Sequence, residues 1–406
     1  PGPRLSRRSV LRQGVAALAF GPSLLALARP LAAKVSTPRV GPLGPPDAHG
    51  VRLPEGFRAR IVARAGAPVA EGSGHAWHIF PDGGATFRRS EGGWIYGPNS
   101  EARRARGGGA GALVFDGDGR VVGGHRILGG TDRNCAGGPT PWGAWLSCEE
   151  HARGRVWACD PEGRTPPRPL PALGVFTHEA VAVDPETGHL YLTEDEPDGR
   201  LYRFVPRRRD ADGRPSLEDG QLEVAAVAER TGEVRWRPVP EPAPGPAGTP
   251  TRHQVAKSTA FSGGEGIWHA DGHIYFATKG DDRVWRLELA SQTLSVVYDR
   301  ARAETPVLEG CDNVVVSAGG EVLVAEDGGD MQLVVLDAQG RAAPFLQVVG
   351  QDHSEITGPA FSPDGERLYF SSQRGPAGGF DARGRPSGEP LGLTYEVTGP
   401  FERFMG

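Results

Sequence analysis

Cys135, Glu179, Glu265 and Asp312 each open a strand-like run, and fourteen or fifteen residues later the returning strand ends on Glu149, Glu194, Lys279 and Glu326. A thiolate and several carboxylates gathered at one place repel each other unless cations sit between them. The chemistry implied is that of a multinuclear metal site. Glu150 follows Glu149 directly, yet adjacent strand residues point to opposite faces, so the two cannot both enter one site. Lys279 fills the slot held by Glu194 and Glu326 in neighbouring runs, and Arg374, beside Gln373, fills the matching slot of the last run. Each lowers the affinity for an adjacent metal, grips an anionic group, or trims acid charge through a salt bridge.

Side chains this far apart in sequence converge only if the elements carrying them radiate from one axis. The runs Glu179–Asp195, Glu265–Lys279, Asp312–Asp327 and Gly358–Gln373 each read as strand, Asp/Gly turn, strand, with shorter third-strand candidates at Arg200–Val205, Arg283–Glu288 and Gln332–Asp337. Four strands per unit, repeated, describe a β-propeller. The expected fold is all-β, a six-bladed propeller with a metal cluster at the central channel. The blades fall near 75–101, 110–150, 155–196, 200–280, 283–327 and 331–375, though five or seven would fit the same period. Composition agrees: 406 residues include 60 Gly and 37 Pro, and aromatics make up 7%. The stretch Arg237–Pro250 reads as a loop insertion in the fourth unit, and Leu391–Val397 as a strand able to close the ring.

Ahead of the repeats, Ser6-Arg7-Arg8-Ser9-Val10-Leu11-Arg12 and the apolar run Val15–Leu27 read as a twin-arginine export signal over residues 1–33. The twin-arginine translocase is therefore an expected partner, and the location periplasmic or secreted. The apolar run is too short to span a bilayer comfortably. A Pro-rich lead over 34–74 is expected to wrap the surface, with one propeller domain over 75–406. Cys148 and Cys159 are candidates for a disulfide across one hairpin. The net charge of −5, without a basic stripe interleaved with aromatics, gives nucleic-acid binding no support. No GxSxG elbow is present, and Gly107-Gly108-Gly109 lacks the Gly-Lys-Ser/Thr of a phosphate loop. His78, His178, His269 and His353 lie near unit starts, where a lone histidine is more often structural than a ligand.

Asn134-Cys135-Ala136-Gly137-Gly138-Pro139-Thr140-Pro141-Trp142-Gly143, running on to Ser147-Cys148-Glu149-Glu150, resembles the signature of PhoX-type alkaline phosphatases. The two glycines after Cys135 would let backbone approach something bulky. The resemblance continues through Thr177-His178-Glu179-Ala180, Tyr191-Leu192-Thr193-Glu194-Asp195-Glu196, Gly264-Glu265-Gly266, Leu323-Val324-Ala325-Glu326-Asp327-Gly328 and Tyr369-Phe370-Ser371-Ser372-Gln373-Arg374-Gly375. It implies Fe3+ and Ca2+ at one mouth of the channel, with Cys135 on iron, and hydrolysis of small-molecule phosphate esters. The implied metal ligands are Cys135, Glu179, Glu265 and Glu326, followed by Glu149, Glu150, Glu194 and Asp312. The expected chemistry is a metal-activated oxide or hydroxide attacking phosphorus, with Lys279 or Arg374 neutralising transition-state charge in a monomeric enzyme. Asn99-Ser100-Glu101 ends the first unit at the same place and would add a ligand. A calcium-dependent lactonase-type propeller and a non-catalytic binding propeller are the alternatives, and both would dispense with iron.

Overall fold

The structure is a computed structural model and describes residues 40–376 and 391–404, so the segment read as an export signal lies outside the described residues. Six antiparallel sheets of four or five strands make up the described chain. Their innermost strands are Pro81–Arg88, Asn134–Pro139, His178–Val183, Gly264–Ala270, Cys311–Val316 and Ile356–Phe361. Each abuts the inner strands of the sheets on either side, and the last meets the first, so the sheets are blades around one axis. Both faces of a blade are thus covered by its neighbours, and most apolar strand residues are buried between blades, with Val122 and Val296 on outermost strands exposed. Six buried apolar clusters result, each lying chiefly between two neighbouring blades.

The blade boundaries differ from those read in the sequence. Blade 1 spans Pro81–Gly129, blade 2 Asn134–Pro169, blade 3 His178–Pro238, blade 4 Gly264–Asp299 and blade 5 Cys311–Val348. After the first, each sequence unit had joined the outer strands of one blade to the inner hairpin of the next. The strand–turn–strand pattern is alike in both hairpins, and only the pairing between strands decides where a blade begins. Blade 6 is closed from both ends of the chain: Leu393–Thr398 is its third strand and Arg58–Arg64 pairs with that strand as its outermost. Val51–Arg52 likewise extends blade 5 by pairing with Ala342–Val348. The lead over 34–74, expected to precede the propeller, therefore supplies two of its strands. At the closure the buried Glu396 accepts hydrogen bonds from Arg60 at 2.7 Å and Tyr369 at 3.0 Å, tying the N-terminal strand to the last hairpin.

The inner hairpin of every blade carries a one-residue shift in register. Such a bulge bends the strand and re-aims a side chain. Inner strands also approach each other closely enough to demand glycine. A Cβ on Gly138 would lie 1.7 Å from the carbonyl oxygen of Val181 in blade 3, and one on Gly137 would lie 2.0 Å from that of Leu146. The glycines after Cys135 thus make room for neighbouring backbone, not for a bulky ligand. The four cysteines are free: Cys148 packs between blades 2 and 3 while Cys159 packs between blades 1 and 2, on opposite faces of their sheet. Among the described residues no helix is long and apolar enough to cross a membrane.

Candidate metal centre

In blades 1 to 5 the bulge of the inner strand holds Asp82, Cys135, Glu179, Glu265 and Asp312, and the bulge turns each of them to one mouth of the channel. The residue just after each second strand meets them there: Glu101, Glu150, Asp195, Lys279 and Asp327. In blade 6 the bulge comes one residue later and carries Gly358 and Pro359, and that blade contributes Glu355, Gln373 and Arg374 instead.

Four overlapping triads result, each with ligand atoms within 4.8 Å of one another: Cys135, Glu150 and Glu179; Glu179, Glu265 and Asp312; Asp312, Asp327 and Glu355; Asp82, Glu101 and Glu355. Eight carboxylates and one thiol thus enter these triads, with Asp195 beside them at the same mouth, and the cations among them are few. Lys279 lies 3.0 Å from Glu265 and 3.1 Å from Asp327, and Arg374 lies 2.9 Å from Glu355. Gln373 donates to Asp82 at 2.5 Å and Glu101 at 2.8 Å. Burial pushes the acids up, with neighbouring carboxylates adding to it: Glu150 to about 8, Asp312 to about 6, and Asp82, Glu179, Glu265 and Glu355 well above the usual range. Burial and the same carboxylates raise the Cys135 thiol. Asp327 is the exception, because contacts to Glu355, Lys279 and Arg374 outweigh its burial and lower it.

These residues fit metal ions on their own chemistry. Glu265 Oε1 is buried, and its cationic neighbour, Lys279 Nζ at 3.0 Å, is shared with Asp312 and Asp327, so a single positive charge serves three acids. The Cys135 thiol donates to a carboxylate oxygen of Glu179 at 3.4 Å, and a shared cation would take the place of that proton. Oxygen donors in this number suit calcium, and one sulfur among them suits iron.

Of the residues singled out in the sequence, Cys135, Glu150, Glu179, Glu265, Asp312, Lys279 and Arg374 are brought together, and Glu101 joins them. Glu149, Glu194 and Glu326 are not in the cluster. Each ends a second strand one residue before a cluster member and points to the other face. Glu149 accepts from the Asp132 N–H and the Trp157 indole, both at 3.0 Å. Glu194 accepts from Tyr202 at 2.8 Å and Arg252 at 3.2 Å. Glu326 accepts from the N–H groups of Glu309 and Gln332. Asp82, Asp195, Asp327 and Glu355 are the members sequence reasoning missed. Asp195 and Asp327 were each one residue from a named glutamate, and Asp82 stands in blade 1 where Cys135 stands in blade 2. Glu355 precedes its strand, out of register with the rest, and carried no such signal.

Polar side chains behind the cluster hold its shape. Asn99 donates to the carbonyls of Cys135 and Ala136 and accepts from Trp145 and Ser147, fastening blade 1 to the inner hairpin of blade 2. Asn134 joins Thr131 and Ser147. His78 and His178 are buried against the carbonyls of Asn99 and Gly174, which is a structural role.

Fold and site together define a six-bladed propeller with an acidic, thiol-bearing mouth. The family model of alkaline phosphatase PhoX matches residues 82–162 and 154–292, more than half of the chain, and the chain belongs to that family. Among solved structures, Pseudomonas fluorescens PhoX in complex with vanadate, a transition-state analogue, is similar at a TM-score of 0.70 and 19% identity, over 89% of this chain and 98% of that one. A gluconolactonase from Xanthomonas campestris gives a TM-score of 0.46 at 13% identity, over 89% of this chain and 98% of its own. No curated protein sequence matches the chain. At 19% identity the PhoX structure bears on the fold alone, and the lactonase on neither fold nor chemistry.

Proposed function

We propose that this protein is an exported phosphatase that hydrolyses small-molecule phosphate esters at a cluster of ferric iron and calcium in the acidic mouth. The observation that carries this reading is the convergence of eight carboxylates and one thiol from all six blades onto overlapping metal-sized triads. Cys135 would hold iron together with Glu150 and Glu179, and the all-oxygen triads would hold calcium. Bound there, the ions would supply Lewis acidity toward the phosphoryl group and an activated water-derived nucleophile.

The chain's own residues do the rest. Arg374 rests on Glu355 and is 34% exposed, so its guanidinium can turn an N–H pair toward phosphoryl oxygens at the mouth. Lys279 adds positive charge from within the cluster. Gln373 fixes Asp82 and Glu101 relative to each other, and Asn99 fixes the backbone that carries Cys135. Family membership supports the reaction class, and the donor set supports the metals.

The test is elemental analysis and an absorption spectrum on the purified protein, followed by assays with phosphomonoesters and phosphodiesters. Iron and calcium, with a visible charge-transfer band that disappears in Cys135→Ala, are expected alongside ester hydrolysis. Metal-replete protein that cleaves neither class of ester would sink the proposal. Calcium alone with lactone turnover would replace it by a lactonase.

A further inference from the structure

Blade 4 carries a cation at a register position where four blades carry an acid and blade 6 the neutral Gln373. The residue after the second strand is acidic in blades 1, 2, 3 and 5 and is Lys279 in blade 4. Its ammonium lies 3.0 Å from Glu265, 3.1 Å from Asp327 and 3.8 Å from Asp312. Asp312 belongs to two triads, one with Glu179 and Glu265 and one with Asp327 and Glu355. Nζ therefore stands at the seam between two places where a metal ion could bind, and touches acids from both.

We propose that Lys279 is a resident cation of this site: its ammonium fills one cation position in the ring, and the protein carries one metal ion fewer than the same ring with a carboxylate there would hold. The inference rests on the metal-dependent reading above and deepens it. Three observations carry it. Oxygens from two blades converge on a single nitrogen. A lysine ammonium is a compact point charge with three donors, suited to a three-oxygen cradle in the way an ion is and a planar guanidinium is not. The other cation, Arg374, reaches Glu355 and Asp327 from blade 6 and makes no ion pair with Glu179, Glu265 or Asp312, so the seam belongs to Lys279.

The position also explains how charge is balanced where the blade-4 acid is missing. Replacing a carboxylate by an ammonium changes the local charge by two units, the charge of one calcium ion. A divalent ion at the seam would compete with the ammonium for Glu265, Asp312 and Asp327 and be repelled by it at short range.

The experiment compares wild type with Lys279→Glu, Lys279→Gln and Lys279→Arg. Each is loaded with excess iron and calcium and desalted, and the metals per chain are counted by elemental analysis. Lys279→Glu is expected to carry one calcium more than wild type and to show a larger rise in Tm on calcium addition. Lys279→Arg fits the cradle less well but keeps the positive charge that repels a divalent ion, and is expected to gain no calcium over wild type. Folding of Lys279→Glu only when calcium is supplied would support the proposal by the same logic. A folded Lys279→Glu with the wild-type count or fewer overturns it. If Lys279→Glu does not fold even with calcium, Lys279→Gln decides, and a wild-type count and calcium response there overturn it. Wild type that binds no metal at all would instead remove the proposed function, and the wild-type count alone shows which of the two has failed.

Discussion

A carboxylate that ends a strand and the carboxylate that follows it differ by one pleat, and here that pleat separates two chemistries. Glu149 faces the loops of its own blade, where His151, the Trp157 indole and the Asp132 N–H overcome its burial and keep it ionised. Glu150 faces the channel, where burial and then Glu101 and Asp195 raise it to about 8. The two glutamines that test this should behave oppositely. Glu149→Gln removes a charged acceptor of two hydrogen bonds and should cost about 1.5–3 kcal/mol in denaturant unfolding, with the bound metal count unchanged. Glu150→Gln relieves repulsion and should leave metal-free stability equal or higher while weakening iron retention during dialysis. Loss of metal in Glu149→Gln with no loss of stability would reverse the assignment. Arg374 is judged on kinetics. If it contacts phosphoryl oxygens more strongly in the transition state, Arg374→Ala should lower kcat by about 10²-fold or more. A change confined to KM would make it a binding residue only.

The inner hairpin is the element that turns this alternation into a site. A regular strand ending at the channel would send one of every two neighbouring side chains inward, and the bulge adds a residue that turns Asp82, Cys135, Glu179, Glu265 and Asp312 to the mouth. The near-constant offset in the sequence reflects this hairpin, which is why the six blades and the channel-facing inner positions could be read from it. The return strand was harder. Glu149, Glu194 and Glu326 recur as regularly as Glu150, Asp195 and Asp327, because both sets are required, one to cap the blade and one to face the channel. Lys279 marked the correct set: its strand partner Thr278 holds the capping position, bonding Asp281 and Trp285. Glu355 was not legible, since its blade carries the bulge a residue later and Thr357 stands free of the cluster, bonded to the Pro81 carbonyl. Backbone contact between blades sets the remaining limit. Gly138→Ala places a Cβ 1.7 Å from Val181 O, so the inner strands of blades 2 and 3 must part. A loss of about 1–3 kcal/mol is expected, with reduced metal retention because Cys135 and Glu179 ride on those strands. Wild-type stability in Gly138→Ala would mean the inner strands separate freely.

Over the whole molecule, the acids at the mouth and the buried histidines make stability depend on pH in opposite directions, and metal should remove one of the two. His78 and His178 are pushed down to about 3 by burial, so between that value and about 6.5 the unfolded chain binds protons the folded one does not. Their contribution is complete above pH 6.5 and is lost as pH falls below it, at up to about 1.4 kcal/mol per pH unit for each. The raised carboxylates act the other way. Folded protein holds their protons where the unfolded chain has released them, so their stability is present at low pH and lost as pH rises through the folded values. For Glu194 and Glu326, raised to about 7 by burial, that loss is nearly over at neutrality and is the same with or without metal, since neither faces the cluster. For Glu150 it continues to about 8, and only while no cation sits beside it. Between pH 7 and 8.5, then, Tm should fall in chelator-treated protein and stay level in metal-loaded protein, and Glu150→Gln should make the chelated curve shallower, with Asp82, Glu179, Glu265 and Glu355 supplying the remaining slope. Parallel curves for the two forms would mean that the carboxylates at the mouth are balanced without metal, and the proposed centre would lose its electrostatic basis.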